Sequence, residues 1–429
     1  MSEEKQQGFQ TRAIHAGSQP DPATGARQTP IYQSTSFVFK DTAHAANLFA
    51  LKELGFIYSR LTNPTVGVLE ERMASLEGGV GATATASGHA AQLTALFTFM
   101  EPGAHIVAAK QLYGGSINQL GVSFPRAFGW NTTFVDATEP ENFKLAVTDK
   151  TRCIFIESLA NPGGIITDIE AIAKIAHEAG VPLIVDNTMA TPYLCNPLAH
   201  GADIVVHSTT KFLSGNGTSI GGVIVDRGGF DWGASDKYSS LNGPEKGYHD
   251  LNFAETFGNM AFTFHGHAVG LRDLGANQQP MNAFLTLLGI ETLSLRMERH
   301  CANAAKVASF LEGHGKVEYV SYAGLKSSKF NALAQKYMPN GAGAVFTFGV
   351  KGGFEAGKKV VEGVKLLSHL ANIGDLRSLI IHPASTTHSQ LSDEALKEAG
   401  AGPEVVRVSI GLEDADDIIA DLDQALNQL

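Results

Sequence analysis

Cysteine is scarce in this chain, which has three in 429 residues and no CxxC spacing between them. The sequence therefore predicts neither a disulfide framework nor a zinc site built on thiolates. Two histidine pairs, His265 with His267 and His382 with His388, also lack a third ligand at a convincing spacing, so we expect no bound metal. The three cysteines are Cys153, Cys195 and Cys301.

Charge is also sparse, at 17% of residues against the usual share of about 25%, and the formal net charge is −11. No basic run is present that could neutralise the phosphates of a nucleic acid. The most apolar stretches fall short of the ~20 residues that cross a bilayer. The opening MSEEKQQGFQTR is too polar for a signal peptide. We expect a cytoplasmic protein that binds neither nucleic acid nor membrane.

Hydrophobic residues, at 44%, are sufficient for a large core, and their pattern divides the chain into three parts. Residues 1–62 lack sustained periodicity and predict an arm. Residues 63–280 alternate helical patterns with short apolar runs, which predicts an α/β domain with a mostly parallel sheet and an insertion at about 228–280. Residues 281–429 predict a smaller α+β domain. The apolar runs predicted as strands of the large domain are 104–109, 132–136, 152–158, 181–188, 202–209 and 221–226.

Polar side chains follow the predicted strands at the end where ligands of such sheets bind. Lys211 comes after one strand, in HSTTKFLSG, and has Ser208 and Thr210 beside it. A partly desolvated lysine can lose its proton and attack a carbonyl carbon. Asp186 ends the preceding strand and can keep a pyridinium nitrogen protonated, as a pyridoxal cofactor requires. The alternative is a surface lysine and a helix-capping aspartate.

Two segments can bind a phosphate group. Ser87 and Gly88 precede a helix, whose first N–H groups and dipole favour an anion, although the Ser87 hydroxyl can instead cap that helix. Tyr58 and Arg60 share one side of an extended segment. The guanidinium of Arg60 can grip a phosphate or form a surface ion pair.

Two further residues stand out by their positions. Tyr113 follows a strand and precedes two glycines, so its ring can stack on a planar cofactor or simply pack in the interior. Arg407 lies inside a predicted strand, where its charge needs a partner. It can bind a substrate carboxylate or form a structural ion pair.

Eight segments of the chain occur together in a consistent order: YSRLTNPT, ASGHAA, LYGGS, ESLANPGG, VDNTMATP, HSTTKFLSG, HPASTTHSQL and RVSIGLED. This set resembles the Cys/Met-metabolism family of pyridoxal-phosphate-dependent enzymes and covers nearly the whole chain. The resemblance implies the aspartate-aminotransferase-like fold, called fold type I, with a mostly parallel sheet in the large domain and a smaller α+β C-terminal domain.

The resemblance implies pyridoxal 5′-phosphate as the cofactor and gives roles to individual residues. Lys211 would hold the cofactor covalently, Asp186 would pair with its ring nitrogen and Tyr113 would stack on the ring. His89 stands where many members have methionine, but the expected contact comes from its backbone. The residues implied as phosphate ligands are Gly88, His89, Ser208 and Thr210.

Other roles concern the substrate and a neighbouring subunit. Tyr58 and Arg60 would reach the cofactor phosphate of a neighbour, so the resemblance implies at least a dimer and typically a tetramer. Asn161 would lie near the cofactor ring and the substrate, Tyr58 would also lie near the substrate, and Arg407 would hold the substrate's α-carboxylate. Asn372 would contribute to carboxylate recognition, where many members have serine.

Within the family, the opening segment, the insertion at 228–280 and the segment NIGDLRSLIIHPASTTHSQL are similar to the branch that acts on O-acetylhomoserine. This implies γ-replacement, in which sulfide displaces acetate and L-homocysteine forms, with Tyr113 as a proton-transfer group. Methanethiol as the acceptor would give L-methionine, and a sulfur-carrier protein can also be the donor. The alternatives are a cystathionine γ-synthase or γ-lyase type of activity, or O-acetylserine sulfhydrylation.

Overall fold

The computed structural model describes residues 7–160, 164–387, 389, 396 and 400–429. The helices of these residues, numbered along the chain, are α1 (Phe9–His15), α2 (Thr42–Phe49), α3 (Pro64–Glu77), α4 (Gly88–Phe97), α5 (Gly114–Asn118), α6 (Phe124–Phe128), α7 (Glu141–Ala146), α8 (Ile169–Glu178), α9 (Thr191–Leu194), α10 (Ser239–Asn242), α11 (Phe253–Phe257), α12 (Ala261–His265), α13 (Arg272–Leu274), α14 (Pro280–Ile290), α15 (Leu293–Glu312), α16 (Asn331–Tyr337), α17 (Gly353–Gly363) and α18 (Ala415–Leu426). Not one of them is both long and apolar enough to cross a membrane.

The strands of the same residues form one large sheet, one smaller sheet and a short two-stranded ribbon. They are β1 (Gly81–Thr85), β2 (His105–Ala109), β3 (Asn131–Val135), β4 (Thr151–Glu157), β5 (Leu159–Ala160), β6 (Ile165–Ile166), β7 (Leu183–Asp186), β8 (Ile204–Ser208), β9 (Gly222–Asp226), β10 (Val317–Ser321), β11 (Val345–Val350), β12 (Ser368–His369), β13 (Leu379–Ile381) and β14 (Val405–Ser409).

The large sheet has the order β1-β9-β8-β7-β4-β2-β3. Strand β9 runs antiparallel to both of its neighbours, and the other strands are parallel to one another. The six apolar runs predicted as strands all form strands of this sheet. Strand β1 was not predicted, because its sequence GATAT consists of small residues rather than a β-branched run.

Helix α3 shows how local signals set an element. The side chain of Asn63 accepts hydrogen bonds from the backbone N–H groups of Thr65 and Val66, and Pro64 occupies the first turn. Gly78 ends the helix with φ of 79°, in the left-handed region that favours glycine. The residue types at 63, 64 and 78 therefore account for both ends of the helix.

The C-terminal part contains a five-stranded sheet of order β10-β11-β14-β13-β12. The long amphipathic stretch after residue 280 forms two helices, α14 and α15. The larger, α15, packs against β10 and α18. Two apolar runs at 343–350 and 404–413, whose sequences predict strands, form β11 and β14, which pair antiparallel.

The arm and the insertion contain more helix than the sequence predicted. Residues 9–15 and 42–49 of the arm form α1 and α2, and α1 packs against α3 with Ala13 fully buried. Both helices have fewer than nine residues, so they contain too few turns for a clear apolar period. Residues 228–280 form short helices, among them a π-helical turn at Gly266–Leu271.

Candidate active site

A cavity of about 240 Å³ lies at the carboxyl ends of β4, β7 and β8, bounded on the other side by the C-terminal part of the chain. Nine of the twelve residues to which the resemblance gives roles line it. Tyr58 and Arg60 do not, and Asn161 lies outside the described residues. The nine are Gly88, His89, Tyr113, Asp186, Ser208, Thr210, Lys211, Asn372 and Arg407.

Lys211 lies in the turn that follows β8, and its Nζ donates a hydrogen bond to Oδ1 of Asn372 over 2.6 Å. Burial lowers the pKa of Lys211 to about 8, and the nearby charge of Arg407 acts in the same direction. A substantial fraction of this amine is therefore neutral in mildly alkaline solution. A neutral lysine amine in a cavity can act as a nucleophile or as a base.

Asp186 ends β7 and presents its carboxylate to the same cavity. Its Oδ1 accepts from the backbone N–H of Thr188 over 2.9 Å, so it stabilises its own turn, and its Oδ2 accepts from Nε2 of Gln92 over 3.2 Å. Gln92 is a residue that the sequence analysis missed. It follows Gly88 by four positions on α4, the helical spacing that places both residues on one face.

The start of α4 forms one wall of the cavity. The hydroxyl of Ser87 accepts from the backbone N–H of Ala90 over 3.1 Å, so the predicted capping role of Ser87 is present. Gly88 lies so close to β8 that a Cβ there would be 2.7 Å from Cβ of Ser208. The first N–H groups of a helix have no earlier helical carbonyl to donate to. The N–H groups of Gly88 and His89 therefore lie next to the Ser208 side chain. An anion bound between them would be stabilised.

Tyr113 is half exposed beside the cavity, at the turn after β2. Its backbone N–H donates to Oε1 of Glu157 over 2.6 Å, and its ring meets the ring of His89 edge to face, with centroids 5.8 Å apart. A Cβ at Gly115 would collide with both rings. Gly115 and Glu157, the second of which the sequence analysis did not use, therefore help to set the position of Tyr113.

Arg407 lies on β14 and is 6% exposed. Burial lowers the pKa of Arg407 to about 10, and it remains charged at neutral pH. Its Nη2 lies 3.5 Å from the backbone oxygen of Asn372, the same residue whose side chain accepts from Lys211. The cavity thus has a buried guanidinium on the side opposite the strand ends.

Tyr58 and Arg60 are exposed on the arm, away from the cavity of their own chain. The backbone of Tyr58 forms an isolated antiparallel β-bridge with that of Ser36, and the guanidinium of Arg60 lies 5.4 Å from the centre of the Tyr58 ring. A role for these two residues in a neighbouring subunit stays a prediction.

The donor set of the cavity fits pyridoxal phosphate. It combines an amine of lowered pKa, a carboxylate at the end of the adjacent strand, and a helix start with no side chain at Gly88. The carboxamide oxygen of Gln92 is buried without a hydrogen-bond partner in the described structure, beside Asp186. Elsewhere, the described ranges contain no cluster of three or more His, Cys, Asp or Glu side chains that could hold a metal ion.

Comparison with known proteins agrees with this arrangement. A family model described as Cys/Met metabolism PLP-dependent enzyme matches residues 10–427. The chain is 53% identical to an O-acetyl-L-homoserine sulfhydrylase of Leptospira meyeri, over 98% of this chain and 97% of the relative. It is 50% identical to a homocysteine synthase of Schizosaccharomyces pombe, over 97% of this chain and 98% of the relative.

The fold is also similar to a solved structure, that of a putative O-acetylhomoserine (thiol)-lyase from Campylobacter jejuni that contains N′-pyridoxyl-lysine-5′-monophosphate. The two have a TM-score of 0.95 and 40% sequence identity, over 98% of this chain and 100% of the other. The mostly parallel seven-stranded sheet with helices on its faces is that of fold type I. The chain therefore belongs to the Cys/Met metabolism family of pyridoxal-phosphate-dependent enzymes.

Proposed function

We propose that this protein uses pyridoxal 5′-phosphate to convert O-acetyl-L-homoserine and sulfide to L-homocysteine and acetate. The observation that carries the proposal is Lys211, an amine of lowered pKa held between the strand ends and Arg407 in one cavity. The relatives at 50% identity or more, named for O-acetylhomoserine sulfhydrylation and homocysteine synthesis, support the choice of substrate.

In this proposal the cofactor is held from three sides. Nζ of Lys211 would hold it covalently, and the Asp186 carboxylate, which accepts a hydrogen bond from Gln92, would pair with its ring nitrogen. The phosphate is bound by the N–H groups that begin α4 and by hydroxyls of the β8 end. When bound, pyridoxal phosphate withdraws electrons from the carbon atoms of an attached amino acid, which allows a γ-substituent to leave. The proposed phosphate ligands are Gly88, His89, Ser208 and Thr210.

Lys211 has a second proposed task, which is to move protons. When it is not bonded to the cofactor, Nζ would take a proton from the substrate and return it later. The Asn372 side chain accepts from Nζ and so restricts where the amine points. The phenol of Tyr113, at the mouth of the cavity, is the proposed group that donates a proton to the leaving acetate.

Arg407 is the proposed partner of the substrate α-carboxylate. A planar guanidinium binds a carboxylate through two parallel hydrogen bonds, and its burial on β14 makes each of them stronger. Asn372 lies between Arg407 and Lys211, so one residue helps to set both ends of the bound amino acid. Asn161, outside the described residues, and Tyr58 remain proposed substrate contacts.

We also propose that the protein acts in the cytoplasm as a homo-oligomer, at least a dimer and typically a tetramer, with Tyr58 and Arg60 completing the neighbour's site. Both lie on an arm that exposes large apolar side chains, among them Val38, Phe49 and Leu54, at 97%, 60% and 70%. A second copy of this chain would cover them. The proposed division of the chain is an arm at 1–62, a cofactor-binding domain with its insertion at 63–280, and a C-terminal domain at 281–429.

The function is tested with purified protein, pyridoxal phosphate, O-acetyl-L-homoserine and free sulfide. We expect homocysteine and acetate, with a borohydride-stable adduct on Lys211 detected by mass spectrometry. Lys211→Ala should abolish both product formation and the adduct. Production of cystathionine from added cysteine, or of 2-oxobutanoate without an acceptor, at rates above homocysteine formation would contradict the proposal. Absence of any adduct on Lys211 in the wild type would do the same.

Oligomeric site sharing has its own test. Arg60→Ala and Lys211→Ala should each be inactive alone, but mixing them after dissociation should restore activity, because some mixed dimers then contain one intact site. A mixture that stays inactive, or a monomer by light scattering, would refute shared sites. If free sulfide gives no product while a thiocarboxylated carrier protein does, the sulfur donor is the carrier.

A further inference from the structure

Arg296, on helix α15, is buried with 8% of its surface exposed, and its guanidinium faces backbone oxygens. Nη1 donates to the carbonyl of Phe212 over 2.7 Å. Nη2 donates to the carbonyls of Leu213 and Gly289, over 3.3 and 2.7 Å. Nε donates to the hydroxyl of Thr292 over 3.3 Å. Every one of these acceptors is a neutral group.

A buried charge of this kind is costly unless something compensates it. In the part of the chain that the structure describes, no carboxylate lies within ion-pair distance of Arg296, so the carbonyl dipoles carry that compensation. Burial lowers the pKa of Arg296 to about 10, which leaves it charged at neutral pH. The groups to which Arg296 donates therefore indicate its task.

The acceptors identify that task, because Phe212 and Leu213 directly follow Lys211. The turn that carries Lys211 is closed by two hydrogen bonds, from the N–H of Ser214 to the carbonyl of Thr209 and from the N–H of Gly215 to the carbonyl of Lys211. Carbonyls at the end of such a turn have no later N–H to accept from. Arg296 supplies the missing donors.

The same turn is held from its other side by the segment before β13. The N–H of Leu376 donates to the carbonyl of Gly215 over 3.0 Å. Gly374, with φ of 72°, lies so close that a Cβ there would be 2.6 Å from the backbone nitrogen of Phe212. A Cβ at position 215 would collide with the Arg296 guanidinium, and Gly215 avoids this contact because it has no side chain. The Lys211 turn is thus fixed between α15 and residues 372–376.

We propose that Arg296 is a positioning residue, which fixes Nζ of Lys211 by binding the backbone carbonyls of Phe212 and Leu213 and so couples helix α15 to the lysine turn. This inference rests on the proposed covalent role of Lys211. Arg296 itself is not among the residues that line the cavity, so it would act on Lys211 through the backbone of the turn. A small displacement of a reacting group by a distant change can slow a reaction by about 100-fold, so this anchorage is worth testing.

The test compares Arg296→Met, Arg296→Lys and Arg299→Met with the wild type. Methionine keeps much of the volume and removes the donors, while lysine keeps the charge but cannot bridge several carbonyls. Arg299 is a matched control because it lies on the same helix, one turn further, and is exposed with its ion pair to Asp414 over 2.9 Å. Full-length protein is freed of cofactor, and pyridoxal phosphate is then added back.

Three readouts separate positioning from stability. The first is the rate of adduct formation on Lys211, followed by absorbance and confirmed by borohydride trapping. The second is hydrogen exchange of the amides of Ser214 and Gly215 in the cofactor-free protein. The third is the melting temperature. For both Arg296 variants we expect adduct formation slower by about 10- to 100-fold, with faster exchange in this turn. Arg299→Met should match the wild type in the first two readouts.

The inference is overturned if Arg296→Lys has wild-type rates of adduct formation and of exchange, whatever its melting temperature, because Arg296 would then act only in packing. If Arg296→Met does not fold, Arg296→Lys alone decides. Failure of the inference is distinguishable from failure of the proposed function. In the first case the wild type still forms an adduct on Lys211 and makes homocysteine, and in the second it lacks the adduct or makes cystathionine or 2-oxobutanoate faster than homocysteine.

Discussion

Nζ of Lys211 and Oδ1 of Asn372 are 2.6 Å apart, which joins the turn after β8 to the segment before β13. An acceptor at this distance favours the charged form of the amine, while burial favours the neutral form. Asn372→Ala should therefore lower the pKa of Lys211 further and leave the amine less well oriented. Asn372→Ser, which keeps an acceptor oxygen, should lie closer to the wild type.

This prediction is measured as the pH dependence of adduct formation between cofactor-free protein and pyridoxal phosphate. The amine reacts in its neutral form, so in the wild type the rate should rise with pH, reach half its maximum near pH 8 and then level off. In Asn372→Ala the midpoint should move to lower pH, with a plateau lower by about tenfold. A wild-type rate that still rises towards the ordinary lysine value of 10.5 would contradict the lowered pKa.

Gly88 is expected to tolerate no side chain. In Gly88→Ala the new Cβ would be 2.7 Å from Cβ of Ser208, so either α4 or the end of β8 must move. Overpacking of this kind costs about 1–3 kcal/mol, and here it displaces the helix start that is proposed to bind phosphate. Cofactor affinity, measured by titration of the cofactor-free protein, should fall by about tenfold or more.

Gly67→Ala is the matched control for that change. Gly67 lies on helix α3 and has no atom within 4 Å of the position that a Cβ would occupy. Alanine there should stabilise the protein by about 0.5–1 kcal/mol and leave cofactor affinity unchanged. Equal cofactor affinity in Gly88→Ala and Gly67→Ala would refute the close approach of Gly88 to the bound phosphate.

Arg407→Lys tests recognition of the substrate carboxylate. Lysine keeps the positive charge but loses the planar pair of donors. KM for O-acetyl-L-homoserine should rise by about 10- to 100-fold, the amount expected from losing one or two hydrogen bonds between charged groups. Cofactor affinity should not change. Arg377→Lys, at an exposed position, is the control. An unchanged KM would remove Arg407 from substrate binding.

His267 should make stability depend on pH. Its two ring nitrogens face the carbonyl oxygens of Leu61 and Ala82, at 3.0 and 3.1 Å, and carbonyls only accept, so both nitrogens carry protons. Burial opposes this charge, but the Glu70 carboxylate, 3.4 Å away, and the two carbonyls outweigh burial and raise the pKa of His267. Since Leu61 closely follows Arg60, the imidazolium also anchors the end of the arm.

The sign of the effect follows from the raised pKa. The stabilisation is fully present below the unfolded-state value of about 6.5 and is lost as pH rises through the higher folded-state value. The melting temperature of the wild type should therefore fall as pH rises through that range. The melting temperature of His267→Gln should not show this fall. His369→Gln, at an exposed position, should keep the decline. Identical curves for wild type and His267→Gln would contradict a charged His267.

Local signals were reliable where an element depends on adjacent residues. Asn63, Pro64 and Gly78 predict helix α3 because capping and termination act within a few residues of chain. The direction of β9 was not predictable, because the apolar run GVIVD is the same whichever way its neighbours run. The helices of the arm were missed since each is too short to show a clear apolar period, and α1 in addition packs on α3, which lies far along the chain.

The same division holds in the candidate site. Lys211 and Asp186 were found because each follows a strand, and parallel strands bring such residues to one edge of the sheet. Gln92 and Glu157 were missed, although both hold residues of the site by hydrogen bonds. Their partners are 94 and 44 positions away in the chain, and no local pattern records such a pair.

By itself, the sequence determined the alternation of helices and strands, the class of the fold and the chemical groups at the strand ends, because these follow from spacing, burial pattern and residue type. Only the tertiary structure decided how those groups act. It places Asn372 against Lys211 across 161 residues and sets Arg296 behind the lysine turn across 84. The physical reason is that the pKa of an amine and the position of a turn depend on contacts in space, which only the packed chain creates.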